Sequence, residues 1–164
     1  MGHENILVVK DERSFEFAQA IRFPINDRDA VSETMDGSSA CARLMGSFKE
    51  YDGGEAVLVF NSVRFITAFN DFIILFRFTP RNATECGMEV TWLVDEQAEV
   101  DLDYDLDKLN KIWDITAKQD KTITEANQVG VSSSRYQPGP YSDHEKQTQK
   151  FTEWYLDSIT DRNK

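Results

Sequence analysis

From Ser38 onward, short apolar runs alternate with polar breaks. Ala40-Cys41-Ala42-Arg43-Leu44-Met45-Gly46-Ser47-Phe48 predicts a strand, and Asp52-Gly53-Gly54 the turn that closes it. Ala56-Val57-Leu58-Val59-Phe60 is a second short apolar strand. The strongest β pattern follows. Val63, Phe65, Thr67 and Phe69 fall on one side of an extended segment, Asn70-Asp71 interrupts it, and Phe72, Ile73, Ile74, Leu75, Phe76 and Phe78 continue the run to Pro80. This pattern predicts a hairpin. After Arg81-Asn82-Ala83-Thr84 another strand is predicted over about Cys86 to Val94, with Met88, Val90, Trp92 and Val94 on one face. Consecutive strands with no helical period between them predict a curved antiparallel sheet. Residues 1–37, with Pro24 and the polar run Asn26-Asp27-Arg28-Asp29, are poorly periodic, and no defined structure is predicted for them.

The period then changes. Leu106, Leu109, Ile112, Trp113, Thr116, Asp120, Ile123 and Asn127 recur at intervals of three or four, which predicts a helix from about Asp105 to Gln128. Aspartates near its start suit the helix dipole, and Gly130 is the predicted end. A loop rich in Ser, Pro and Gly covers residues 132–140, and Ser142-Asp143-His144-Glu145 has capping-box spacing. Phe151, Trp154, Tyr155 and Ile159 form the stripe of a last helix. The prediction is an α+β domain in which the long helix lies across the concave face of the sheet, a grip that commonly encloses a pocket.

Composition narrows the function classes. A chain of 164 residues, 40% hydrophobic and 12% aromatic, suits one soluble domain. No run approaches the roughly 20 apolar residues of a membrane helix, and Met1-Gly2-His3-Glu4-Asn5 lacks the parts of a signal peptide, so a cytoplasmic location is expected. Eighteen basic against 29 acidic residues leave a net charge of -11, which disfavours nucleic acid and anionic membranes as partners. Cys41 and Cys86 read as small buried apolar residues of a reducing compartment. With only His3 and His144, the chain cannot by itself build a site needing several imidazoles.

Asp120 is the most informative position, because a carboxylate stands where the helix period calls for a core residue, beside Trp113, Thr116 and Ile123. Burying it ionised costs several kcal/mol unless it is paired or metal-bound. The plainer alternative is a slightly rotated helix on which Asp120 meets solvent or pairs with Lys118 or Lys121. Seven of the 13 residues from Asp95 to Asp107 are acidic, yet a calcium loop fails because Leu106 and Ile112 stand where Gly and Glu belong. A solvated acidic approach to the helix is expected instead. His144 has no zinc-site partners in the sequence, and Asn82-Ala83-Thr84 is a chance glycosylation triplet. The aromatics Phe65, Phe69, Phe72, Phe76, Phe78 and Trp92 read as core, some of them lining a pocket.

Several ordered motifs of the second half resemble the end of the catalytic domain of Rieske-type non-heme iron oxygenases. They are Thr91-Trp92-Leu93-Val94, Asp103-Tyr104-Asp105, Trp113-Asp114-Ile115-Thr116, Gln119-Asp120, Glu125-Ala126-Asn127-Gln128-Val129-Gly130-Val131, Tyr136-Gln137-Pro138-Gly139-Pro140-Tyr141-Ser142 and Phe151-Thr152-Glu153-Trp154-Tyr155. The similarity spans about residues 85–160 and points to the branch of phenylpropionate-dioxygenase-like and choline or glycine betaine oxygenase-like large subunits. It implies a helix-grip, START-like fold for residues 38–164. It also implies an Fe(II) held by two histidines and one aspartate, the aspartate matching Asp120, and a separate Rieske [2Fe-2S] domain. Trp113, Thr116, Ile123 and Asn127 would then be pocket positions.

Departures from the family pattern are equally informative. Cys41 is followed by Ala42-Arg43 and Cys86 by Gly87-Met88-Glu89, so neither fits the CxH and CxxH pairs of the cluster. The two histidine ligands have no counterpart. The resemblance therefore implies the C-terminal part of an oxygenase subunit with the Rieske domain absent, inactive alone. Its parent would carry out O2- and NAD(P)H-dependent ring hydroxylation or amine demethylation on an aromatic or quaternary-amine substrate. That parent would work with a reductase, as a homotrimer or with a missing N-terminal part restored. Two rivals remain: a non-enzymatic helix-grip protein that binds an apolar small ligand, and a split-oxygenase subunit.

Overall fold

The computed structural model describes residues 5–7, 18–25, 29–60 and 63–161. Its sheet is a six-stranded antiparallel meander in which each strand pairs with its sequence neighbours: β1 Asn5–Leu7, β2 Ala18–Pro24, β3 Gly54–Phe60, β4 Arg64–Ala68, β5 Ile73–Pro80 and β6 Cys86–Leu93. Two helices follow, α1 Leu106–Val131 and α2 Lys146–Asp161. The α+β class and the order of sheet before helix are as predicted. Residues 1–37 differ from expectation, because they contribute β1 and β2 to the same sheet.

Strand alternation sorts the side chains onto two faces. In the β4–β5 register Phe65 opposes Phe76 and Thr67 opposes Ile74; across β5–β6, Ile74 opposes Trp92 and Phe76 opposes Val90. These residues form the face toward α1, where the core consists of Ile25, Ala40, Phe69, Phe72, Ile74, Phe76 and Leu109. Phe65 stacks on Phe76 with ring centroids 4.1 Å apart, and Phe69 stacks on Phe72 at 4.8 Å. The other face carries Leu58, Ile66, Leu75 and Thr91 on one rung and Phe60, Arg64, Arg77 and Glu89 on the next.

Residues 40–48 form no strand. Cys41 makes one isolated bridge to Tyr104, and the segment otherwise turns across the end of the sheet. The amides of Ala40, Cys41 and Met45 are recruited by the β4–β5 turn, and that of Ala42 by the Asp103 carbonyl, instead of by a neighbouring strand. Asp71 is fully buried there and accepts from Ser32 Oγ at 2.7 Å, the Ala40 amide at 2.7 Å and the Cys41 amide at 3.1 Å. Met45 N–H donates to the Asn70 carbonyl at 2.7 Å. The polar pair that interrupts the apolar run is therefore a buried anchor.

The turn before β3 follows its sequence. Gly53 has φ +64°, which favours glycine, and the Asp52 carboxylate accepts from the Gly54 amide at 2.9 Å. The Arg22 guanidinium lies directly over Gly54, where a Cβ would collide with it. Helix α1 begins next to the predicted start, and Asp105 caps it, accepting from the Lys108 amide at 2.7 Å. It continues through Gly130 to Val131, where Ser132 caps it, so glycine does not end it. A 3-10 turn, Asp143–Glu145, holds His144 and leads into α2, and the Ser142 amide donates to the Glu145 carboxylate at 2.8 Å. Among the described residues no helix is long and apolar enough to cross a membrane.

Candidate functional site

Helix α1 approaches the sheet with its first two turns. Leu109 is buried, and four residues on, Trp113 sits against Phe69 at 6.3 Å and Phe76 at 5.6 Å between ring centroids. Residues 109, 113, 116 and 120 follow the same stripe, since steps of three and four keep side chains on one helix face. The stripe outruns its support. Asp120 lies about 16 Å along the axis from Leu109 at 1.5 Å per residue. There the helix is exposed on every side, with Thr116, Asp120 and Asn127 in solvent and Ile123 at 67% exposure.

Of the two readings of Asp120, the one in which it meets solvent holds in this structure. Helical phase places it as predicted, but among the described residues the stripe's packing against the core goes no further than Trp113, and the carboxylate is exposed. Lys118 and Lys121 do not pair with it. Lys118 binds Asp114 at 2.6 Å, and Lys121 approaches Glu125 at 3.8 Å, each four residues away. Of the five residues picked out by sequence, only Trp113 packs against the core. Thr116, Asp120, Ile123 and Asn127 share its helix but line neither of the two clefts described below.

The acidic approach serves as scaffold. Asp103 accepts from the Glu99 amide and from Arg43 Nε, each at 3.0 Å; these contacts, the Glu99 amide foremost, hold its carboxyl below the usual range. Asp101 adopts φ +65°, a conformation that aspartate tolerates better than most residues. Among the described residues no group of three His, Cys, Asp or Glu side chains could hold a metal ion. His144 is exposed, and His3 lies outside the described residues. Cys41 is fully buried as expected, and burial pushes its thiol up, whereas Cys86 is exposed at the start of β6, contrary to expectation.

Three polar features escaped the sequence reading. Asp71 was visible only as a turn residue. Glu55 sits in β3 opposite Phe23, where burial, reinforced by the Glu33 carboxylate, pushes its carboxyl up to about 7. The indole N–H groups of Trp92 and Trp113 are both buried without an acceptor among the described residues. Only the lone acid inside an otherwise apolar β3 run was a readable signal. The clefts lie elsewhere. A groove of about 700 Å3 opens on the sheet face away from α1, and a smaller one of about 370 Å3 lies between Ser39–Ala42 and Asp101–Lys108.

Comparison with known proteins assigns the family. Residues 9–161 match the ring hydroxylating alpha subunit (catalytic domain) family. The chain is 37% identical over 140 residues to the glycine betaine monooxygenase oxygenase subunit of Pseudomonas aeruginosa, a match covering 85% of this chain and 32% of the relative. It is 36% identical over 133 residues to the corresponding subunit of Chromohalobacter salexigens, covering 80% and 30%. The chain thus spans about a third of the length of the curated relatives it matches. With the match running through β2–β6 and both helices, this chain belongs to the catalytic-domain family of ring-hydroxylating oxygenase α subunits.

Proposed function

We propose that the chain is the C-terminal part of the catalytic domain of a Rieske-type oxygenase large subunit whose parent reaction is O2- and NAD(P)H-dependent oxidative demethylation of a quaternary amine. The observation that carries this is the 37% identity to a glycine betaine monooxygenase oxygenase subunit across 85% of the chain. In this reading α1 is the helix held by a START-like helix grip in the complete domain, and residues 38–164 are the C-terminal part of that domain. Its face bearing Trp113, Thr116, Asp120, Ile123 and Asn127 turns toward the substrate, with Asp120 as the carboxylate ligand of the parent's Fe(II).

The residues present do not by themselves fit an iron centre. Asp120 is one exposed carboxylate, and the described residues hold no cluster of three ligating side chains. A facial iron site takes two imidazoles and one carboxylate; in this reading the family's two histidine ligands, which have no counterpart in this sequence, come from another part of the parent subunit, as do the [2Fe-2S] cluster and its CxH and CxxH ligands. The reductase, and the assembly into a trimer or with an upstream part, belong to the same proposal.

Iron analysis tests it. The 164-residue chain alone is expected to hold no stoichiometric Fe(II) and to show no cluster absorption. Joined to a polypeptide supplying the two histidines and the Rieske domain, it is expected to hold iron in proportion to chain. Asp120→Ala should then abolish the iron, while Ile123→Ala keeps it. Full iron loading in the Asp120→Ala protein would remove Asp120 from the ligand set.

A further inference from the structure

The face of the sheet opposite α1 carries an arrangement that the proposed oxygenase role leaves unused. Arg64 on β4 stands directly opposite Arg77 on β5, and Arg77 stands opposite Glu89 on β6, so three charged residues occupy one rung beside Phe60. Like charges directly opposed across an antiparallel pair are unfavourable. Glu89 balances one of them, binding Arg77 at 2.5 Å. Among the described residues no carboxylate pairs with Arg64. The rung therefore carries an excess positive charge in a chain of net charge -11.

The adjoining rung is apolar. Leu58, Ile66 and Leu75 lie side by side on the same face, half-buried. Together with Phe60, Arg64, Arg77, Glu89 and Thr91, Ile66 and Leu75 line the groove of about 700 Å3, to which the intervening Phe65 and Phe76 also contribute, a volume within the range of about 300–1,000 Å3 typical of small-molecule sites. An apolar floor ending at paired guanidinium groups matches a particular kind of ligand. Arginine presents a planar fork of donors complementary to a carboxylate, while the aliphatic rung removes hydrocarbon from water at roughly 25 cal/mol per Å2.

We propose that this groove binds a small monocarboxylate with an apolar body, its carboxylate bridging Arg64 and Arg77 and its hydrocarbon lying along Ile66 and Leu75. The one excess cation on the rung sets the preference for a single negative charge. The site lies on the opposite face from Asp120 and does not depend on the proposed iron chemistry.

Calorimetric titration of the chain with octanoate tests this, with octanamide as the uncharged comparator of the same length. Octanoate is expected to bind at least tenfold more tightly than octanamide and to weaken as salt is raised. Arg64→Gln should weaken octanoate at least tenfold while leaving octanamide unchanged, and Leu75→Glu should abolish both. Circular dichroism and thermal unfolding establish that each variant is folded, and Arg64, being exposed, is replaceable without disturbing the core. Equal binding of the two ligands, no measurable heat with octanoate, or an Arg64→Gln value within twofold of the parent would overturn the proposal. So would sedimentation showing that Arg64→Gln breaks up a self-associated form to which octanoate is indifferent, since the rung would then be a contact between copies.

Discussion

At the residue scale, a half-buried acid and a fully buried one act on stability by different means, Glu55 through its proton and Asp71 through its hydrogen bonds. Glu55 has its carboxyl pushed from 4.5 up to about 7 by burial, with the nearby Glu33 adding to it. The native state thus holds this proton more tightly than the unfolded chain does. Its contribution is fully present below pH 4.5 and is lost as pH rises through about 7. Discounted for partial exposure, the effect is about 1–2 kcal/mol. Urea midpoints are expected to fall between pH 5 and pH 8 in the parent and to stay flatter in Glu55→Gln; identical pH profiles would mean that Glu55 is solvated. Asp71 acts through hydrogen bonds, its carboxylate accepting from three donors in residues 32–41. Asp71→Ala strands those donors in the interior and should cost about 3–5 kcal/mol, a large share of a typical domain's stability. A loss under about 1 kcal/mol by urea unfolding would show that solvent reaches the turn.

At the scale of the element, α1 is two structures in one helix. Its first two turns are anchored by Leu109 and Trp113, whereas the stretch beyond Ala117 relies on hydrogen bonds of the helix itself and on pairs such as Lys118–Asp114. Such exposed pairs are worth only about 0.3–0.5 kcal/mol, and unsupported helices are marginal in water. Leu109→Ala should therefore destabilise the chain by about 2–5 kcal/mol, and Ile123→Ala by less than about 0.5 kcal/mol. Amide exchange should be faster in residues 118–131 than in residues 106–114. Equal protection of both halves, or equal losses from both substitutions, would place a packed surface against the distal half.

At the scale of the whole molecule, the sheet is a simple meander whose two faces have different work. One face is closed by the aromatic cluster and the start of α1, and the other exposes an apolar rung edged by Arg64 and Arg77. A helix stripe that continues past its packing partner is the physical sign of an incomplete enclosure. The chain's span of about a third of its relatives' length accords with that. If the proposed function holds, joining the chain to the rest of the parent subunit is expected to slow amide exchange across residues 118–131, alongside the gain of iron that depends on Asp120.

The amino-acid order alone determined much of this architecture. Alternation in Val63 to Phe69 and in Met88 to Val94, with the apolar run from Phe72 to Phe78 between them, places the central hairpin and the strand after it, because period two is the geometry of a half-buried strand. The three-to-four spacing from Leu106 to Asn127 places the long helix and the shared phase of Trp113 and Asp120 for the corresponding reason. Local chemistry also located the start of the long helix near Asp105 and the Ser142–Glu145 box. Tertiary structure decided what periodicity cannot encode, namely where packing stops. Phase names the face on which a side chain sits; burial depends on whether another element reaches that far. Trp113 therefore meets a sheet while Asp120, on the same face, meets solvent. The apolar run from Ala40 to Phe48 became an anchored loop because Asp71 claimed its amides, and the Arg64–Arg77 pair arose only when register brought together residues 13 apart in sequence.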